Sequence, residues 1–220
     1  ALTATRATDI QLQTDPRSAR ESAMSASHHY PVGSVGHTLR RMVGVWHDQV
    51  EIFSPSGVPL TEDPASGSPG ASPFENLVYV SFDGERYTQT NVAFRGRPFG
   101  VRTFSGKMLD GVLHFDRLGE NDPGHIGVSG GPGVLFFVAG ALGEATQRYC
   151  EPDCVRLLGS GERTRTTVLY RGGQVVRTLT AHGVKIAPTA DGRVPWDPRG
   201  ADGPAHARRE MTRVFAPVEA

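Results

Sequence analysis

The sequence predicts an all-β protein: a single antiparallel up-and-down β-barrel of about 8–10 strands, entered through a short N-terminal helix. Three observations point there. Gly44-Val45-Trp46 stands where a short helical pattern gives way to β-type alternation. From there to residue 186, short apolar runs are separated by turn residues, in a chain of 220 residues with 27 Gly and 16 Pro. The runs are joined as hairpins, with no β-α-β alternation and no solenoid-length repeat. In small barrels, a Trp at the start of the first strand plugs one end and leaves the other free to hold a ligand.

Composition narrows the function classes. The 23 basic and 23 acidic residues cancel, so no global field draws nucleic acid. No apolar run approaches the roughly 20 residues of a membrane-spanning helix, so the chain reads as soluble with no transmembrane segment.

The elements follow in order. Residues 1–33, rich in Ala, Ser, Thr and Arg, read as a flexible N-terminal tail, and residues 34–220 as the barrel domain. Arg6, Arg17 and Arg20 suit the remnant of an organelle-targeting region, whereas Asp9, Asp15 and Glu21 do not; Met24 is an alternative start. An organelle is therefore one expected location and a bacterial cytoplasm the other. Ser34 is a plausible N-cap for a helix over Ser34–Val43, with Val35, Leu39, Met42 and Val43 at helical spacing. Strands are predicted over Val45–Phe53, Glu75–Phe82, Tyr87–Phe94, Phe99–Phe104, Val112–Leu118, Val134–Gly140, Gln147–Cys150, Val155–Leu158, Glu162–Arg171, Gln174–Ile186 and Arg208–Phe215. Pro59 to Pro73 reads as a long loop, and Ser129–Gly133 as a wide turn that lacks a phosphate-loop ending.

Two hairpins can be read by face. A regular Gly172-Gly173 turn places Thr164, Thr166, Val168 and Tyr170 inward with Val175, Arg177, Leu179 and Ala181, and leaves Arg163, Arg165 and Arg171 in water. An inward Arg177 is either an anchor for an anionic or carbonyl group of a ligand, or a cation stacked on Trp46. The turn at Asp83-Gly84-Glu85 puts Tyr87, Gln89, Asn91 and Ala93 on the face of Val78, Val80 and Phe82. With that face inward, Tyr87, Gln89, Asn91, Tyr170 and Arg177 are the candidate ligand-binding residues, and Trp46 the structural plug.

Gly44-Val45-Trp46, Tyr87-Thr88-Gln89-Thr90-Asn91, and Glu162-Arg163-Thr164-Arg165 leading to Tyr170-Arg171-Gly172-Gly173 resemble lipocalin-type (calycin) barrels. The segment from Gly44 to Ile186 is similar to uncharacterised lipocalin-like proteins of cyanobacteria and plastids, and to the T-type and S-type phycobiliprotein lyases. Those lyases carry a linear tetrapyrrole to an apoprotein cysteine. The resemblance implies a ligand-holding barrel, a pigment-, tetrapyrrole- or isoprenoid-like ligand, and a plastid as the expected organelle. It carries no lyase catalytic residue onto this chain.

The remaining constellations are weaker. Cys150 and Cys154 flank Glu151-Pro152-Asp153 and can form a small-loop disulfide, remain free thiols, or supply half a metal site; no second Cys/His cluster completes one, so no metal is expected. His47 and Glu51 share parity with Val45 and Phe53 and are the candidates for an inward acid–base pair. His114 and Asp116 are expected outside. Three functions follow: a carrier binding a small, largely apolar ligand, with no further cofactor; a barrel lyase, cyclase or isomerase acting on such a ligand; or a structural subunit docking a protein partner through its termini.

Overall fold

In the barrel strands, residues alternate between the two faces, and the buried members select the inner one. The computed structural model describes residues 29–63, 68–69, 73–95, 100–119, 122, 124–140, 145 and 149–186. The strands are β1 (Gly44–Phe53), β2 (Glu62–Asp63), β3 (Ser68–Pro69), β4 (Phe74–Phe82), β5 (Arg86–Arg95), β6 (Gly100–Leu109), β7 (Val112–Phe115), β8 (His125–Ser129), β9 (Val134–Ala139), β10 (Tyr149–Cys150), β11 (Asp153–Leu157), β12 (Glu162–Arg171) and β13 (Gln174–Ile186). Ten of them close a ring in the order β1, β4, β5, β6, β7, β8, β9, β11, β12, β13, every neighbour antiparallel, with β13 returning to β1. β10 adds a two-residue edge to β12, and β2 and β3 pair as a separate two-stranded antiparallel sheet within the predicted Pro59–Pro73 loop. The predicted strand at Arg208–Phe215 lies outside the described residues.

Helix α1 (Val35–Met42) covers one end of the ring. Ser34 caps it, accepting a 3.2 Å hydrogen bond from the His37 amide, and Arg40 and Arg41 lie in the last turn, where the helix dipole favours cations. Its apolar side, Val35, Leu39 and Met42, packs onto Trp46, and the Trp46 indole donates to the Met42 carbonyl at 2.7 Å. Beneath it, Tyr87, Phe115 and Phe137 pack in tilted and edge-to-face contacts, filling this end with rings. Tyr30, within the stretch read as a tail, lies against Phe82 and donates to the Gly84 carbonyl; Ser129 donates to the Gly33 carbonyl.

The Gly172-Gly173 turn forms with φ of 58° and 76°, the left-handed pair that a two-residue hairpin requires. The register beyond it is not regular. Tyr170 pairs with Val175, but Leu169 pairs with Arg177, so Val176 is an extra residue on β13. A one-residue slip reverses every side chain of the partner strand. Arg163, Arg165, Thr167 and Leu169 therefore face inward, and Thr164, Thr166, Val168 and Tyr170 face away from them, correcting the expectation for β12.

Candidate functional site

The interior below the aromatic plug is built from charges. β1 buries Trp46, Asp48, Val50 and Ile52, so its inward parity is that of Trp46. His47 and Glu51 consequently lie on the outer face: Glu51 is exposed, and His47 bonds to the outer Glu75 at 2.7 Å. The expected inward acid–base pair is not formed.

Asp48, 1% exposed, needs a cation, and β12 supplies it. Arg163, wholly buried, donates from Nε and Nη2 to Asp48 Oδ1 at 3.2 and 2.9 Å, and from Nη2 to Oδ2 at 2.8 Å. The same guanidinium lies 4.6 Å from the Trp46 ring centroid. Gly183, opposite Asp48 on β13, makes room for this pair: a Cβ there would stand 2.2 Å from Asp48 Oδ1 and 3.0 Å from Arg163. Arg165, two residues on, bridges Asp48 Oδ2 at 3.8 Å and Asp153 Oδ2 through Nε at 3.1 Å. Burial opposes the Arg165 charge, but Asp153 and Asp48 outweigh it and raise the guanidinium above its ordinary value.

β5 contributes a neutral ladder. Tyr87 Oη donates to Gln89 Oε1 at 2.7 Å, and Gln89 Nε2 donates to Asn91 Oδ1 at 2.9 Å. Their register against Phe82, Val80 and Val78 is the expected one. Burial holds the Tyr87 phenol well above the ordinary tyrosine value, so it stays neutral and able to donate.

Towards the end away from α1, Arg177 is buried and inward as expected, and its Nη2 donates to Glu151 Oε1 at 2.8 Å. It is not stacked on Trp46. Trp46 pairs with Lys185, eight residues further along β13, which separates the two by roughly 26 Å. The cations over Trp46 are Arg163 and, at 5.3 Å, Lys185. Tyr170 also departs from the expected site, packing with Ala139, Ala145 and Cys150 on the face of β12 opposite Leu169.

The cysteines are free. Cys150 pairs with Tyr170 and Cys154 with Thr166, four residues apart along β12, a span of roughly 13 Å that a disulfide cannot bridge. Burial, then Glu151 for Cys150 and Asp153 for Cys154, pushes both thiols up, away from thiolate chemistry. Among the described residues no group of three or more His, Cys, Asp or Glu is placed to hold a metal.

Of the predicted ligand-binding residues, Tyr87, Gln89, Asn91 and Arg177 share the interior. Asp48, Glu151, Asp153, Arg163 and Arg165 join them unforeseen. The signal for them was the parity of Trp46: once it faces inward, so does Asp48, and a buried carboxylate requires a basic partner such as Arg163-x-Arg165.

No protein-family model matches the sequence, and no curated protein does. Among solved structures, the S-type phycobiliprotein lyase CPES from Guillardia theta superposes with a TM-score of 0.51 at 8% identity, covering 71% of this chain and 94% of that one. A DUF3598-family protein of unknown function from Nostoc punctiforme gives a TM-score of 0.48 at 15% identity, covering 67% of this chain but only 49% of that one. The shared feature is the fold, a closed antiparallel barrel. No helix among the described residues is long and apolar enough to cross a membrane.

Proposed function

We propose that this barrel is a carrier that holds a small molecule in its interior, with polar groups meeting the charged belt and an apolar body lying along the wall. The observation that carries the reading is the incomplete satisfaction of the belt. Arg163 Nη1 and Asp153 Oδ1 are buried without a hydrogen-bond partner, one a donor and the other an acceptor. Arg165, facing inward, still keeps 14% of its side-chain surface accessible, which supports an unfilled interior over the solid core that a purely structural subunit would have.

Val50, Ile52, Phe74 and Ala181, with Leu60 and Leu179 against them, supply the apolar wall. Such a site suits an amphiphilic ligand better than a wholly apolar one. The likeness in fold to a phycobiliprotein lyase supports a pigment-like ligand, which we propose is of the tetrapyrrole or isoprenoid kind and carried in a plastid or a bacterial cytoplasm. The carrier needs no other cofactor.

The test is native mass spectrometry of protein isolated from its source, with an absorption spectrum of the same sample. The expected result is one bound small molecule per chain, absorbing visible light if it is a pigment. A bare mass from every preparation would overturn the carrier. Conversion of the bound molecule to a new mass during incubation would move the assignment to a barrel lyase or isomerase.

A further inference from the structure

Among the described residues, the end of the barrel away from α1 gathers more cations than Glu151 neutralises. Arg102 on β6 stands in register with Asn91 on β5 and shares its inward face, because the adjacent Val101 packs in the outer cluster with Leu77 and Val92. Arg171, at the end of β12, pairs with Tyr149 on β10 and sets its guanidinium 5.8 Å from that ring's centroid. The Tyr149 phenol lies within electrostatic reach of Glu151 and of Arg102, Arg177 and Arg171, so groups from β6, β10, β12 and β13 converge there.

With Arg177 paired to Glu151, the charges left are Arg102 and Arg171, and neither has an ion-pair partner among the described residues. The neutral groups beside them favour an anion too. Asn91 accepts from Gln89 through its oxygen, which leaves its amide nitrogen to donate. Burial, reinforced by Glu151 and opposed by the arginines, pushes the Tyr149 phenol up to about 12, so it remains protonated. The wall of Val50, Ile52, Phe74 and Ala181 lies on the β1–β4–β13 side of the same end.

We infer that this end of the barrel is a receptor for the carboxylate of an amphiphile, with Arg102 as the principal anchor, Arg171 and Asn91 as supporting donors, and the ligand's apolar body against the Val50–Phe74 wall. The inference rests on the carrier reading and specifies the chemical class of its ligand. Guanidinium forks match carboxylate geometry, and a half-buried site screens their attraction less than open water does.

The experiment is a fluorescence titration of the full chain with dansyl-labelled undecanoic acid and, separately, with its methyl ester, at low and high salt. The acid is expected to bind at least about tenfold more tightly than the ester, a preference that shrinks with salt. Arg102→Gln should abolish the preference by weakening the acid alone, and Arg102→Lys should retain part of it. Thermal unfolding and tryptophan emission would confirm that both variants keep the fold. Equal binding of acid and ester, or an Arg102→Gln variant within twofold of the parent for the acid, would overturn the carboxylate assignment and leave the carrier standing. Failure of the acid to bind at all would likewise overturn the carboxylate receptor, whereas the carrier falls only if native mass spectrometry finds a bare mass.

Discussion

Asp48 and Arg163 illustrate how a buried ion pair constrains a barrel. Each is nearly or fully withdrawn from water, and removing one partner strands the other's charge. Asp48→Asn is expected to cost about 3–5 kcal/mol in denaturant unfolding, because Arg163 stays buried and cationic. The double change Asp48→Leu with Arg163→Met should recover most of that loss, since apolar side chains of similar volume dispense with the desolvation. A double variant no more stable than Asp48→Asn would show that Arg163's stacking on Trp46, rather than its pairing, holds this layer. Asp48 follows from the parity of Trp46, but alternation along β12 does not by itself select Arg163 and Arg165 over Thr164, Thr166, Val168 and Tyr170 as the face that answers it. The amides Gln89 and Asn91 were legible because the turn before them fixes their register under either two-residue choice.

Glycine governs the elements. β8 was not foreseen, and β6 runs to Leu109, not Phe104 as expected. Both strands place a glycine inward where apolar alternation would ask for a large residue. A Cβ on Gly127 would meet Leu113 and Phe137 at 3.1 Å, and one on Gly106 would meet the His114 carbonyl at 2.7 Å. Phe137 of the aromatic plug and Leu113 occupy the volume beside Gly127, and the β7 backbone at His114 that beside Gly106. The Val176 bulge is equally silent in sequence, since an extra Val in a Val-Val pair looks like any β-strand residue.

Between β7 and β8, Asp122 accepts from the Leu118 and Gly124 amides at 2.9 and 2.8 Å and faces His125 at 3.5 Å. Burial raises its pKa, but these bonds and His125 outweigh that effect and hold it below the ordinary carboxylate value. Its stabilisation is therefore present above a pH of about 4, the unfolded value, and is lost as pH falls through the lower folded value. Asp122→Asn should lower neutral-pH stability by about 1–2 kcal/mol and flatten the acid limb of the stability–pH profile. Parallel acid limbs for the two proteins would refute this.

At the scale of the whole molecule, the described barrel is closed and tight at the α1 end, charged through the middle, and mixed apolar and cationic at the other end. On the proposed carrier function, a bound molecule would stabilise the fold through mass action. At a free ligand concentration about 100-fold above the dissociation constant, binding contributes about 2.7 kcal/mol. Stripping a bound molecule should lower the unfolding midpoint by roughly 5–10 °C, and re-adding it should restore the loss. An unchanged midpoint in calorimetry would mean that the molecule is not held by the folded interior.

Local sequence alone determined the barrel class, the Ser34-capped helix, the Trp46 plug and the inward faces of β4 and β5. Each depends on alternation, capping or turn chemistry within a few neighbouring residues. Tertiary structure alone decided which face of β12 is inner, which cation covers Trp46, and that Cys150 and Cys154 lie too far apart to join. Those outcomes turn on one bulged residue and on pairings between strands distant in the chain. A strand's two faces are chemically ambiguous until a neighbour's register, and the buried charge it must answer, selects one of them.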